Sequence, residues 1–304
     1  DGTVKFTPAS GSTAATLTLN GYTFNNGTID TDAVIFTEYE DLTILLAGEN
    51  SITTDKEGIN AINCALTIAD DTSDSDIGKL SITAENEGIY CSKGDSWDIL
   101  TIEGVELNIE STSWAGIYTY EADTCINSAT ITIKAKSDAL YVRGAEYFGI
   151  ADSTVNANGD ENGIDLSYTN EMTIMDSNVS VAGDQAIYTF CTDIFIYSSV
   201  LEAAGTRNAF VLDSETGAEY FYVNSAHYVL SGSSKDTADY VNPTDRNNYS
   251  KKYVKIVNRD PKNLSVTREG VTEYFDSLEN VWDYLEDGDV IKVGQYAFEV
   301  LHLP

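Results

Sequence analysis

Proline is scarce in this chain. Four occur, at Pro8, Pro243, Pro261 and Pro304, and none falls between residues 9 and 242. A residue without an N–H interrupts a hydrogen-bonded ladder, so its absence over 234 residues fits an unbroken strand architecture. Positive charge is scarce too. Lysine and arginine number 17 against 49 aspartates and glutamates, which leaves a formal net charge of -32. That field repels phosphate and anionic lipid, and no basic stripe with interleaved aromatics offsets it, so nucleic acid is not an expected partner. No apolar run approaches the 18 residues of a membrane span. The four cysteines, Cys64, Cys91, Cys125 and Cys191, are far apart and form no CxxC pair. This argues against a zinc or redox site and leaves buried thiols or one inter-coil disulfide. The two histidines, His227 and His302, lie outside the repeats described below and are poor candidates for a base.

What is present in abundance is repetition. A small residue followed by an apolar one recurs as Gly58-Ile59, Gly88-Ile89, Gly116-Ile117, Ala139-Leu140, Gly163-Ile164, Ala186-Ile187 and Ala209-Phe210, at spacings of 30, 28, 23, 24, 23 and 23. Ala33-Val34 is a candidate earlier copy. The polar run Asp70–Asp76 reads as a loop that lengthens one repeat. Each repeat also carries two further alternating strands. One set contains Leu66-Thr67-Ile68, Leu100-Thr101-Ile102, Phe148-Gly149-Ile150, Met172-Thr173-Ile174 and Ile194-Phe195-Ile196. The other contains Leu80-Ser81-Ile82, Leu107-Asn108-Ile109, Ile131-Thr132-Ile133, Val155-Asn156-Ala157, Val179-Ser180-Val181 and Val200–Ala203.

Three short strands per lap, with almost no helical period, predict an all-β fold: a right-handed single-stranded parallel β-helix of roughly eight coils. At about 4.8 Å per coil the rod would be roughly 40 Å long. A leucine-rich repeat lacks its fixed leucine and asparagine spacing here, and a β-sandwich has no reason for a 23-residue anchor. The division expected is 1–240 for the helix with its N-terminal cap (residues 1–32 as capping strands) and 241–304 for a small α+β cap or module. In the latter, Ser277–Glu286 reads as a helix, followed by strands at Val290–Val293 and Tyr296–Leu303. Because the chain begins Asp1-Gly2-Thr3, it reads as trimmed of any leader.

If the anchor Ile or Leu points inward, the next residue points out. The outward residues are Asn60, Tyr90, Tyr118, Tyr141, Asp165, Tyr188 and Val211, and a second row follows as Asn63, Ser92, Tyr120, Arg143, Ser167, Phe190 and Asp213. One face thus carries Tyr90, Tyr118, Tyr120, Tyr141, Tyr188 and Phe190, interrupted by Arg143 and Asp165. Flat rings with hydroxyl tips suit a polysaccharide lying along the rod, although cross-strand packing alone also enriches tyrosine. Trp97 and Trp114 fall in loops near this stripe. Just before each anchor runs a polar column of Glu57, Glu87, Ala115, Asp138, Asn162, Gln185 and Asn208, with Asp160, Glu161 and Asp184 behind it. Stacked oxygens invite Ca²⁺, and Asp138, Asp160 and Asp184 are its candidate ligands, with no cofactor required. Were the chain an enzyme, Arg143 would serve as a lyase base, and Asp138 with Asp165 as a hydrolase pair.

The segments Leu42–Ile52, Glu57-Gly58-Ile59, Leu66-Thr67-Ile68 and Gly78–Ile82 resemble the secreted, carbohydrate-binding domain-containing β-helix proteins of Gram-positive anaerobes, within the pectate-lyase-like superfamily. The resemblance covers residues 15–215 and rests on repeat-structural motifs. It implies an extracellular or cell-surface protein that binds plant or cell-wall glycan, with calcium as an available partner. The paired aspartates and Gly-His-Gly of the pectin hydrolases are missing. The chain is thus expected to be a monomeric polysaccharide-binding module, with a structural or adhesive solenoid and a polysaccharide lyase or hydrolase as the alternatives.

Overall fold

The computed structural model describes residues 2–11, 13–25, 29–73, 76–93, 99–190, 192–213, 221–223, 227–243, 245–258, 264–268, 271–275 and 290–293. Its body is a parallel β-helix with three walls and eight coils. The first wall runs from Ala15–Asn20 through Leu42–Ala47, Leu66–Asp70, Ile99–Glu103, Asp123–Asn127, Tyr147–Ala151, Glu171–Met175 and Asp193–Tyr197 to the short Phe221–Val223 beyond the eighth coil, each parallel to the next. The second includes Glu49–Thr54, Lys79–Ala84, Glu106–Ser111, Thr130–Ala135 and Thr154–Gly159. The third includes Ala33–Glu38, Glu57–Ile62, Ile89–Ser92, Ile117–Tyr120, Leu140–Arg143 and Asn162–Ser167. In the last two coils one long strand, Asn178–Phe190 and then Val200–Asp213, serves both second and third walls, with a register irregularity between Gly183 and Gln185.

Alternation explains the walls. Inward positions such as Ile44, Ile68, Ile102, Ile126, Ile150, Ile174 and Ile196 form one continuous buried column, and Ile59, Ile89, Ile117, Leu140, Ile164, Ile187 and Phe210 form another. A coil alone could not cover these side chains; its neighbours above and below do.

The corners keep the ladder intact. Between first and second walls a residue with positive φ recurs at Gly48, Gly104, Ser128, Asp152, Asp176 and Ser198; between third and first it recurs at Tyr39, Asn63, Glu121, Gly144 and Tyr168. Only Gly enters that region without cost, so its use by Tyr and Glu needs compensation. Nine of these eleven residues donate to the next coil, as in Asn63 N to Ser92 O at 2.9 Å, Glu121 N to Arg143 O at 2.7 Å and Asp152 N to Met175 O at 3.1 Å. Beside the first corner, buried serines carry the ladder inward. Ser153 N donates to Ser177 Oγ and Ser177 N to Ser199 Oγ, while each hydroxyl donates to the carbonyl two residues back. The series ends at Ser199 N donating to His227 Nε2 at 3.4 Å, so His227 terminates a structural ladder.

The anchor's small residue has a steric cause. A Cβ on Gly58, Gly88, Gly116 or Gly163 would meet a methyl of Ile82, Ile109, Ile133 or Val181 in the next coil at 2.5, 2.3, 2.1 or 2.3 Å. Where the anchor is Ala139 or Ala186, the corresponding second-wall residue is Ala157 or Ala203. Glycine therefore sits beneath branched residues and alanine beneath alanine.

The ends differ from the expectation in part. Thr3–Thr7 does cap the rod, antiparallel to Ala15–Asn20, but Ala15–Asn20 and Thr23–Asn25 are strands of the first coil. At the other end His227–Gly232, Asp239–Val241 and Tyr253–Asn258 form an antiparallel cap that pairs onto Val200–Ala204, with Tyr249 buried beneath it. The expected 240/241 boundary falls inside Asp239–Val241. Beyond it, Leu264–Arg268, Val271–Phe275 and Val290–Val293 make a small antiparallel sheet, the last strand where the sequence placed it. Minor helical content is confined, among the described residues, to 3-10 turns at Lys235–Thr237 and Arg246–Asn248. The expected helix Ser277–Glu286, the strand Tyr296–Leu303, Trp97, Cys191 and His302 lie outside the described residues.

The anchor rule yields a test. Gly116→Ala is expected to destabilise the rod by about 1–3 kcal/mol through overpacking against Ile133, and Ile133→Ala by about 2–5 kcal/mol through a cavity. The double variant should lose clearly less than the two together, read as a double-mutant cycle from urea unfolding.

Candidate functional site

The third wall brings the predicted outward residues into register. Asn60 pairs with Tyr90, Tyr90 with Tyr118, Tyr118 with Tyr141, Tyr141 with Asp165, and Asp165 with Tyr188. In the second row Ser92 pairs with Tyr120, Tyr120 with Arg143, and Ser167 with Phe190. The residue paired with Ser92 is Ile62, not Asn63; Asn63 occupies the corner with φ 55°. One extra residue in the count from Asn60 displaced that assignment.

The rings do not form the open platform that the sequence suggested. Tyr118 and Tyr141 stack face to face, with centroids 4.7 Å apart and planes 9° from parallel. Tyr90 meets Tyr118 edge-on at 5.3 Å and 71°. Strands one coil apart lie at the right distance for neighbouring rings to cover one another, so the rings' flat faces are engaged within the row. All three are half-buried, and burial pushes their hydroxyls up. The Arg143 guanidinium reaches the Tyr141 and Tyr118 hydroxyls and lies 5.9 Å from the Tyr120 ring centroid. Phe190 packs edge-on against the exposed Tyr168 at 4.7 Å.

Asp165 sits in a recess of this row, between Tyr141 and Tyr188, and is only 9% exposed. Ser167 Oγ donates to its Oδ1 at 2.6 Å, and Asn162 Nδ2 reaches its Oδ2 at 3.3 Å. The same Asn162 amide donates to Asp138 Oδ1 at 2.7 Å, joined by Asn162 N at 3.2 Å, while Ser137 Oγ donates to Asp138 Oδ2 at 3.1 Å. Two buried carboxyls are thus bridged by one amide on adjacent coils. Burial raises both. Asp165 is pushed up to about 7, against the Ser167 bond and with the Asp138 charge adding to the rise.

Asp160 and Asp184 are the other two candidate metal ligands. They share an open groove of about 500 Å³ with Glu161, Asn162, Gln185, Thr206 and Arg207. Asp160 pairs with Lys136, and Asp184 pairs with Arg207 and accepts from Thr206. Among the described residues no three His, Cys, Asp or Glu side chains converge in a way that could hold a metal ion.

Sequence reasoning left Trp114 unplaced. It stands at the corner leading into the third wall, beside Ala115 of the polar column, and is 52% exposed. Its N–H donates to Ser111 Oγ at 3.1 Å, and its carbonyl accepts from Ser137 N. It supplies an exposed aromatic ring at the corner that precedes Ile117–Tyr120. A tryptophan between a strand end and an anchor was the available signal, but corner geometry was needed to place it.

The class these features define is a parallel β-solenoid consistent with the pectate-lyase-like superfamily. Comparison with protein-family models, curated proteins and solved structures finds no match. No described helix is long and apolar enough to cross a membrane.

Asp165 gives a pH prediction. Its folded value lies above the usual carboxylate value of about 3.9, so the folded state binds its proton more tightly. The associated stability is fully present below about pH 4 and is lost as pH rises through 7. Asp165→Asn should be more stable than wild type at pH 8, by up to about 4 kcal/mol, with the difference vanishing near pH 4. Urea unfolding across this range reads it.

Proposed function

We propose that the third wall binds an extended, hydroxyl-rich polysaccharide outside the cell. The fold is consistent with a carbohydrate-binding or adhesive solenoid surface. The observation that carries the reading is the alignment, on one wall, of the carboxyl–amide cluster Asp138–Asn162–Asp165 with the tyrosine row and Arg143. Planar acceptors and donors of this kind match the vicinal hydroxyls of a sugar, and a row rising by one strand spacing per coil matches a polymer rather than a small molecule. Trp114 offers the apolar face to a sugar ring that the stacked tyrosines do not, while the tyrosines contribute edges and hydroxyls. With a net charge of -32, a neutral glycan is preferred, and a uronate polymer would need calcium as a bridge.

Affinity electrophoresis against a polysaccharide panel, run in calcium and in EDTA, tests this. Retardation by at least one glycan is expected, with Trp114→Ala and Arg143→Ala each weakening it by about tenfold or more. No retardation by any glycan would remove the binding reading and leave the structural or adhesive solenoid. Equal retardation of both variants would place the binding surface elsewhere.

The bridged carboxyls favour a second reading, glycoside hydrolysis. A proton held by Asp165 near neutral pH could be donated to a leaving oxygen, with Asp138 as its carboxylate partner. Reducing ends released from the panel by the wild type and abolished in Asp165→Asn would establish it; no release from any member would dismiss it.

A further inference from the structure

The two ends of the rod are finished differently. At the C-terminal end an antiparallel cap pairs onto Val200–Ala204. At the N-terminal end Thr3–Thr7 covers the first wall alone, in register from Thr3 against Asn20 to Thr7 against Thr16. The first strand of the third wall, Ala33–Glu38, pairs with Glu57–Ile62 on one side. Among the described residues no strand pairs with its other side. Its sequence, Ala-Val-Ile-Phe-Thr-Glu, holds neither proline nor lysine, the residues that usually blunt an exposed edge.

A groove of about 560 Å³ lies between this free edge and the N-terminal cap. Val4 and Phe6 line it from the cap, Leu17 from the first wall, and Val34 and Phe36 from the third. Val4, Phe6 and Phe36 are exposed, and no other phenylalanine among the described residues is. Apolar surface gathered in one concave place marks a contact, whereas single exposed apolar residues are ordinary. Glu38 and Glu40 are the charged members of the lining, and no lysine or arginine joins them.

We propose that the edge of Ala33–Glu38 and the adjoining groove bind an extended segment of another polypeptide, apolar at alternate positions and flanked by lysine or arginine. The free edge supplies main-chain donors and acceptors to an added strand, and the groove receives the side chains of that strand's inner face. Glu38 and Glu40 select a basic flank, which the net charge of -32 also attracts. A second copy of this chain fits less well. Its N-terminal end would bring the same glutamates, and its C-terminal end presents the antiparallel cap in place of an open coil. An amphiphile would fill the groove and leave the polar groups of the edge to water; a strand meets both. The contact is independent of the glycan reading and survives its failure.

Fluorophore-labelled synthetic peptides test the contact. Each has valine or phenylalanine at alternate positions, threonine between them and lysine at both ends, and binding to the full chain is read by anisotropy in 0.15 M salt. Saturable binding is expected. Glutamate in place of the terminal lysines should weaken it by about tenfold or more. Versions methylated at odd or at even backbone nitrogens should differ, because only one set of N–H groups faces the edge: one version should lose about tenfold or more and the other bind as the parent. Phe6→Ser and Phe36→Lys should each weaken binding by about tenfold or more. Both side chains are exposed, so neither change empties the core, and circular dichroism confirms the fold of each. Tyr222→Ala, an exposed ring on Phe221–Val223, should bind as wild type. No saturable binding by any peptide would overturn the proposal, as would unchanged affinity in both Phe6→Ser and Phe36→Lys. Equal binding of both methylated versions and the parent would assign the groove to an apolar ligand instead. A dimer of the chain alone in sedimentation velocity, abolished by Phe36→Lys, would assign it to a second copy. Either result would also overturn the proposal.

Discussion

Every feature of this molecule depends on backbone hydrogen bonds that pass from one coil to the next without stopping at the corners. A flat strand can maintain such a ladder easily; a chain that turns between three walls in each lap cannot, unless the turning residue still points its N–H at the coil beyond. The left-handed residues do this. Their conformational cost, borne even by Tyr39, Glu121 and Tyr168, is offset by a bond that an ordinary turn would forfeit. Once the ladder is continuous, side chains one lap apart have no freedom but to stack, and the core columns, the tyrosine row and the polar column are all consequences.

Stacking also explains why two recesses in the third wall are chemically distinct from an ordinary surface. Asp165 and Asn60 point outward, yet neighbouring aromatic side chains above and below shield both. A short polar residue in a row of long ones becomes buried without entering the core. Water can reach such a position only from one side, which is why the Asp165 carboxyl is pushed up to about 7 although it lies on the outside of the rod.

Much of the fold was legible because the later repeats keep a nearly constant period of 23 or 24 residues and a steric signature. The anchors Gly116, Ala139, Gly163 and Ala186 stand in adjacent coils as their spacing required. Harder to see was the first-wall strand of the fifth coil, Asp123–Asn127. There an inward Thr124, bonded to Thr119 Oγ1 within the core, replaces the usual apolar residue and breaks the pattern. The first coil was hidden for a related reason: its outer side is covered by the single strand Thr3–Thr7 rather than by a full coil, so its strands keep half-exposed residues such as Leu17 and Val34. Within the candidate site, which residues share a wall could be counted from the sequence. Ring orientation and the Asn162 bridge could not, because they depend on rotamers chosen among neighbours from adjacent coils.

The pairing of small anchors with the residue above them bears on how such a chain can change over time. Gly116 fits Ile133, and Ala139 fits Ala157, so each lap is tailored to its successor rather than to a shared consensus. A lap copied and inserted elsewhere would bring the wrong floor for the next one. The heritable module is therefore staggered: one turn of chain plus the opposing wall of the following turn. Duplications cut at that offset would be accepted at once, whereas those cut at the anchor itself would need a second substitution to survive.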